Sequence, residues 1–215
     1  MSYVVNPDPV QVVVFDAYGT LVRRLTRGPD AFRQLFRFRH PRVPETDLVR
    51  VLKEGRSFNE WARIWGVPDE ALALVEPELQ PDLMSVLPFP ETRDALKAVR
   101  QAGRKVVVCS NLAPVFTIPL RQHLAGLIDH YILSYEVGAI KPEAAIYDAI
   151  LAKTGLPASA HLMIGDRWRE DVEGPRERGF QAQQVVRPGQ PGTADPEAWS
   201  DLRPLIGLWE SSPIV

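Results

Sequence analysis

The chain has 215 residues, of which 45% are hydrophobic and 24% are charged, and its formal net charge is −2. This balance is typical of a globular protein with a buried core, and it excludes a general electrostatic attraction to nucleic acid or to a membrane surface. A membrane-spanning helix would need about 18 consecutive apolar residues, and no run in the sequence approaches that length. The single cysteine, Cys109, excludes an internal disulfide. We therefore expect a cytoplasmic protein with no nucleic-acid or membrane partner.

The first predicted element is a buried strand that covers the segment VQVVVF, from Val10 to Phe15. Its nearly continuous β-branched and aromatic residues are typical of a parallel strand that helices cover on both faces. Asp16 follows directly, and Gly19 and Thr20 form a turn after it. Ligands of such sheets bind outside the carboxyl ends of the strands, so we expect Asp16 to face a substrate. A carboxylate that caps the loop is the alternative.

The segment 22–87 has helical rather than strand-like spacing. Apolar residues recur on one face in four stretches, which predicts a small unit of about four helices. The stretches are marked by Phe32, Leu35 and Phe36; by Leu48, Val51 and Leu52; by Phe58, Trp61 and Trp65; and by Leu72, Val75 and Leu79.

The first half of this helical segment is rich in arginine. Residues 22–50 contain eight arginines against three acidic residues, an excess of five positive charges. Such an excess could draw an anionic substrate toward the site, and we expect one of Arg23, Arg24 or Arg39 to reach it. A solvated helix face is the alternative for most of these arginines.

From Pro88 onward, predicted strands alternate with predicted helices. Further strands are expected over 105–109, 131–134, 161–164 and 183–186, and the tail beyond Arg187 is expected to be anchored by Trp199, Leu205 and Trp209. Parallel strands need helical crossovers, so this alternation predicts an α/β fold with a doubly wound parallel sheet.

Polar residues follow three of these strands. They are Asp16 after the first, Ser110 and Asn111 after the second, and Asp166 after a later one, with Lys141 on a loop between. The carboxyl ends of parallel strands share one edge of the sheet, so these groups can converge there. Two carboxylates, a cation and a hydroxyl suit metal-assisted transfer of an anionic group. Helix capping by Ser110 and Asn111 and an exposed loop position for Lys141 are the alternatives.

The ordered segments FDAYGT, VVVCSN, GAIKPEAAIY and IGDRWREDVEG resemble the motifs of the haloacid dehalogenase-like (HAD) hydrolase superfamily, over Val10 to Val186. The resemblance implies a Rossmann-like core formed by 1–21 and 88–215, with a helical C1-type cap inserted over 22–87. It implies that Asp16 is a nucleophile that forms an aspartyl intermediate.

The same resemblance gives roles to the other residues at the predicted sheet edge. Thr20 and Ser110 would hold the oxygens of the transferring group, and Lys141 would pair with Asp16. Asn111 would orient the substrate. Tyr18 is expected to contact the substrate as well, and the charge excess of residues 22–50, rather than the resemblance, adds Arg23 to the expected contacts.

Two of the motifs point to different chemistry. HAD phosphatases usually carry Asp as general acid at the position of Tyr18, whereas Tyr there resembles the 2-haloacid dehalogenases, whose halide leaving group needs no proton. Asp166 and Asp171 instead resemble the metal-dependent phosphatases. That resemblance implies Mg²⁺ held by Asp16, by the carbonyl of Tyr18 and by these two carboxylates.

We therefore predict a Mg²⁺-dependent hydrolase of a small anionic phosphate monoester. A metal site that is kept without use is harder to explain than the loss of one acid, which is typically worth ~10²–10⁴-fold in rate. A metal-independent 2-haloacid dehalogenase is the main alternative, and a catalytically weak binding protein with the same fold is the second. The cap also offers a surface on which a homodimer could form.

Overall fold

Five parallel strands form the central sheet of the computed structural model, which describes residues 5–25, 31–38, 45–189 and 195–209. Along the chain, its strands are β1 (Val12–Phe15), β4 (Lys105–Ser110), β5 (His130–Leu133), β6 (His161–Gly165) and β7 (Gln181–Gln184). β1 lies in the middle, and the order across the sheet is β5-β4-β1-β6-β7. The register aligns the last residue of β1, Phe15, with Val108 on one side and with Ile164 on the other. The segments that follow these strands therefore emerge at one edge.

Both faces of the sheet are covered. Alternate residues of β1 enter different apolar clusters, Val13 and Phe15 on one face and Val12 and Val14 on the other, because side chains alternate along a strand. The covering helices are α5 (Thr92–Gln101), α6 (Thr117–His123), α7 (Ser134–Val137), α8 (Ala144–Thr154) and α9 (Gly174–Glu177). The predicted doubly wound α/β sheet is therefore confirmed.

The four predicted helices of the inserted segment are also present. They are α1 (Ala31–Arg37), α2 (Glu45–Lys53), α3 (Phe58–Ile64) and α4 (Asp69–Met84). Their apolar faces meet in a separate cluster, in which the rings of Trp61 and Trp65 stack 4.9 Å apart. The division of the chain into a core (1–21 and 88–215) and a cap (22–87) stays a prediction.

Two short strands flank the inserted helices, and the helical spacing of the segment did not predict them. β2 (Val22–Arg24) pairs antiparallel with β3 (Val86–Pro88), and Arg23 lies opposite Leu87. Three residues are too few to show a period of two, and β2 carries two arginines. The pairing joins segments more than 60 residues apart, so long-range contact rather than local pattern stabilises it.

The segment after β6 also differs from the prediction of one helix. A π-helical turn (Trp168–Glu173) comes first, and α9 continues from it. The tail packs as expected, since Trp199, Leu205 and Trp209 all join the core cluster on one face of the sheet. In the described part of the chain, no helix combines the length and the apolar character that crossing a membrane requires. The cytoplasmic location and the homodimer stay predictions.

Candidate active site

Asp16 occupies the first position after β1, at the centre of the sheet edge. Its backbone N–H donates to the carbonyl of Ile164 at 2.9 Å, which continues the ladder between β1 and β6. The residue is only 7% exposed. Its Oδ1 accepts hydrogen bonds from Lys141 Nζ at 2.7 Å and from Ser110 Oγ at 3.3 Å. The sheet topology thus brings together three residues that lie far apart in sequence.

Lys141 lies on the loop before α8, and its ammonium group is buried between two carboxylates. Lys141 Nζ is 2.7 Å from Asp16 Oδ1 and 2.6 Å from Asp171 Oδ1. Burial alone disfavours the charged amine, but the two neighbouring carboxylates outweigh it and hold the pKa of Lys141 well above its usual value. The alternative of an exposed loop lysine is excluded, because Lys141 is 3% exposed.

Asn111 holds the backbone of Lys141 at two points. Its Nδ2 donates to the Lys141 carbonyl at 2.9 Å, and its Oδ1 accepts from the Lys141 N–H at 2.8 Å. Both ends of the amide are therefore engaged with the loop. This contact positions the lysine, and Asn111 also borders the cavity described below.

Three carboxylates converge beside this lysine. One oxygen each from Asp16, Asp166 and Asp171 lies within 4.8 Å of the others. Two glycines make this approach possible. A Cβ on Gly19, which has φ +97°, would lie 2.5 Å from an Asp166 oxygen, and a Cβ on Gly165 would overlap the Asp171 carboxyl. The sequence therefore provides space for acidic groups at this point.

The electrostatics of the cluster favour a cation. Burial and the repulsion of Asp16 raise the pKa of Asp166 to about 7. Burial also raises the pKa of Asp171 to about 6, although Lys141 opposes the shift. Asp166 Oδ1 is buried and has no hydrogen-bond partner among the described residues. A buried carboxylate oxygen without a donor is costly, and a metal ion would remove that cost.

Thr20 is fully buried in the turn after β1. Its hydroxyl has no hydrogen-bond partner within the described part of the chain. Its carbonyl accepts from Arg187 Nη2 at 2.5 Å, and Arg187 forms a buried ion pair with Glu91. The sequence analysis did not find this pair, because an arginine in a loop and a glutamate before a helix give no local signal.

The Tyr18 hydroxyl is turned away from the acidic cluster toward α6. It donates to the carbonyl of Phe116 at 2.8 Å, and the two rings meet edge to face at 6.1 Å. Burial raises the pKa of the Tyr18 hydroxyl, and the charge of Asp82 raises it further. A phenol in this state is a poor proton donor or acceptor for a reaction at neutral pH.

A cavity of about 340 Å³ opens in front of Asp16. Its described lining consists of Asp16, Tyr18, Arg24, Phe32, Arg33, Phe36, Leu48, Val51, Leu52, the segment 110–113, Phe116, Lys141, Arg167 and Glu170. The structure thus brings Asp16, Tyr18, Ser110, Asn111 and Lys141 to one cavity.

Arg23 is not among the described residues that line the cavity, and its contact with a substrate stays a prediction. Its guanidinium lies 5.7 Å from the centre of the Phe89 ring, whereas Arg24 lines the cavity. The reason is that neighbouring residues of a strand point to opposite faces. Arg39 lies outside the described residues.

Comparison with known proteins gives one family and two activities. The sequence model of the haloacid dehalogenase-like hydrolases matches residues 10–179. A phosphoserine phosphatase from Thermus thermophilus is 32% identical over 143 residues, which cover 64% of this chain and 55% of that protein. The chain spans about half the length of the curated phosphatases that it matches. An (S)-2-haloacid dehalogenase from a Pseudomonas species is 25% identical, and that alignment covers 95% of this chain and 97% of that protein.

The fold agrees with the family match. The crystal structure of a HAD phosphatase from Thermococcus onnurineus superimposes with a TM-score of 0.62 at 21% identity, covering 93% of this chain and 97% of that one. Because the family match extends from the strand before Asp16 to beyond Asp171, the chain belongs to the haloacid dehalogenase-like hydrolases.

Proposed function

We propose that the protein is a Mg²⁺-dependent phosphatase of small phosphate monoesters and that Asp16 is its nucleophile. The observation that carries the proposal is the convergence of Asp16, Asp166 and Asp171, with one Asp166 oxygen buried and without a donor. Metal-independent chemistry would leave these three carboxylates close together beside Lys141, with Arg167 as a further cation that acts on Asp166. The phosphatases among the relatives support the same assignment.

The donor set fits magnesium. Asp16, Asp166 and Asp171 supply carboxylate oxygens, and the backbone carbonyl of Tyr18 is the proposed fourth protein ligand. Mg²⁺ prefers oxygen ligands and commonly binds through few carboxylates together with water and a substrate phosphate. When bound, it would neutralise charge on the phosphoryl oxygens.

The chain's own residues account for the first covalent step. Asp16 Oδ1 carries the hydrogen bonds from Lys141 and Ser110, so Oδ2 is the proposed attacking atom. A bond forms between Oδ2 and phosphorus, and the bond from phosphorus to the ester oxygen breaks. The departing alkoxide takes its proton from water, because the Tyr18 hydroxyl is held by Phe116.

Water then regenerates the enzyme. Its oxygen bonds to phosphorus, the bond to Asp16 breaks, and a proton leaves with inorganic phosphate or to solvent. Lys141 would hold the Asp16 carboxylate in place in both steps, as a fixed cation in a buried site does at low cost in reorganisation. The buried Thr20 hydroxyl is a proposed donor to the transferring group.

Phosphate release from p-nitrophenyl phosphate, with Mg²⁺ and with EDTA, tests the proposal. We expect release that requires the metal and that Asp16→Asn abolishes. Undiminished turnover in Asp16→Asn would show that another group is the nucleophile, and undiminished turnover in EDTA would remove the metal from the proposal.

A 2-haloacid dehalogenase is the second candidate, and the Tyr18 contact favours it. With its hydroxyl bonded to the Phe116 carbonyl, Tyr18 is poorly placed to protonate a leaving group, and a halide needs no proton. The dehalogenase relative also aligns over nearly its whole length. Halide release from 2-chloropropionate that persists in EDTA would establish this activity instead, and its absence beside metal-dependent phosphate release would exclude it.

A further inference from the structure

The cavity in front of Asp16 has walls of a different character from its floor. The floor is polar and consists of Asp16, Ser110 and Lys141, whereas the inserted helices provide an apolar wall. Phe32 and Phe36 of α1 and Leu48, Val51 and Leu52 of α2 form that wall. A substrate whose phosphate meets Asp16 must place its leaving group against these side chains.

Tyr18 and Phe116 extend the apolar surface. Both residues line the cavity. The Tyr18 hydroxyl donates to the Phe116 carbonyl, so these two polar atoms bond to each other rather than to a substrate. Tyr18 therefore offers the ring rather than an available hydroxyl. A polar leaving group gains little from this wall.

The cations that line the cavity are mostly balanced by acids. Arg24 Nε lies 3.2 Å from Asp82 Oδ1, and Arg167 Nη1 lies 3.9 Å from Glu170 Oε1. Lys141 pairs with Asp16 on the floor, and Arg33 is exposed to solvent, which screens its charge. Apart from Lys141, which pairs with Asp16, the described lining residues thus include no buried cation that would demand a second anionic group on the substrate.

We infer that the leaving group is an uncharged apolar alcohol, a short alkyl chain or a single aromatic ring. This inference rests on the proposed phosphatase function. The cavity of about 340 Å³ is near the lower end of the range for small-molecule sites, which favours a small leaving group. A hydroxyl or ammonium group placed against the apolar wall would lose its water without gaining a partner.

A series of unbranched alkyl phosphates tests the inference without changing the chemistry of the leaving group. We expect kcat/KM to rise from ethyl to butyl phosphate by about fourfold per added methylene. Glycerol 3-phosphate and phosphoserine should be at least tenfold poorer than butyl phosphate. Equal or better turnover of either polar ester would overturn the inference.

Leu52→Asn identifies the wall as the cause. Leu52 lines the cavity but is outside the buried cluster of the inserted helices, so the fold should survive the change. We expect the ratio of kcat/KM for butyl over ethyl phosphate to fall at least fivefold. Ile64→Asn is the control, since Ile64 is 43% exposed on α3 and is not a described lining residue. An unchanged ratio in Leu52→Asn would contradict the assignment of the wall.

A binding measurement separates this inference from the proposed function. Butylphosphonate and ethylphosphonate cannot be hydrolysed, and calorimetry with Mg²⁺ present measures their affinities. If no ester is hydrolysed but butylphosphonate binds more tightly, the phosphatase function fails and the apolar subsite stands. If esters are hydrolysed with no dependence on chain length and the two phosphonates bind equally, the function stands and the inference fails.

Discussion

The floor and the wall of the cavity are built in different ways. On the floor, Asp16, Ser110 and Lys141 are nearly inaccessible, and each is held by hydrogen bonds at a strand end or on an adjoining loop. The wall consists of apolar side chains from two helices, such as Phe36 and Leu52, which carry no directional bonds to a substrate. A rigid floor with directional hydrogen bonds suits one type of reaction. In the apolar wall, by contrast, substitution of a single side chain can change the substrate selectivity without altering the chemistry.

Loss of the buried cation would disrupt the floor most strongly. Lys141→Met should lower kcat/KM for p-nitrophenyl phosphate by at least about 10³-fold, because a preorganised charge is removed from the reacting carboxylate. Steady-state kinetics measure the effect. The exposed Lys153→Met is the matched control and should keep normal activity. A loss below tenfold in Lys141→Met would mean that the cation does not support the reaction.

The buried ion pair between Arg187 and Glu91 has the next largest expected effect. Arg187→Met leaves Glu91 buried without its partner and removes the donor to the Thr20 carbonyl. Breaking a buried pair in this way costs about 3–5 kcal/mol, so the free energy of unfolding should fall by that amount in urea denaturation.

The control for Arg187 is an arginine of an exposed pair. Arg203 pairs with Asp201 at 3.2 Å, and its side chain is 71% exposed. Arg203→Met should change the free energy of unfolding by less than about 1 kcal/mol. A similar loss in the two variants would show that burial of the Arg187 pair is unimportant.

Tyr18 extends the apolar surface of the cavity, and its substitution shows whether proton supply limits the rate. Tyr18→Asp would introduce a group able to protonate the leaving alcohol, so phosphatase turnover should rise by up to about 10²-fold. Tyr18→Phe is the control and should change kcat little, because the hydroxyl donates to Phe116 and not to the reacting centre. If Tyr18→Asp folds and binds Mg²⁺ without a gain, proton supply does not limit the reaction.

The smallest expected effect is the dependence of metal binding on pH. The pKa of Asp166 is raised to about 7 and that of Asp171 to about 6, so protons compete with Mg²⁺ below neutral pH. Mg²⁺ affinity should rise with pH, by about tenfold per unit near pH 6, and level off above pH 8. Calorimetric titration across this range measures it. A constant affinity from pH 5.5 to pH 8 would mean that neither carboxyl is a ligand.

The same pKa shifts also predict how these two carboxyls affect the pH dependence of stability in the metal-free protein. Because the folded state holds protons on these two carboxyls that the unfolded state has already released, their contribution to the free energy of unfolding should fall as pH rises from about 4 to 7. Saturating Mg²⁺ should reduce this loss, since it binds the ionised carboxylates of the folded state.

The sequence by itself determined the sheet and the polar edge. The apolar runs before Asp16, Ser110 and Asp166 are long enough to specify buried strands, and parallel strands necessarily bring their carboxyl ends together. The helical periods of the inserted segment were equally clear. These features could be predicted because each depends on residues within one short segment.

The tertiary structure alone decided how each side chain is used at that edge. The Tyr18 hydroxyl bonds to a carbonyl 98 residues away, and Thr20 is held by Arg187, which is 167 residues away. Arg24 rather than Arg23 lines the cavity because of the way β2 pairs with β3, and these two strands are too short to leave a pattern in the sequence. In each case the deciding contact joins distant segments, and local sequence carries no information about where such segments meet.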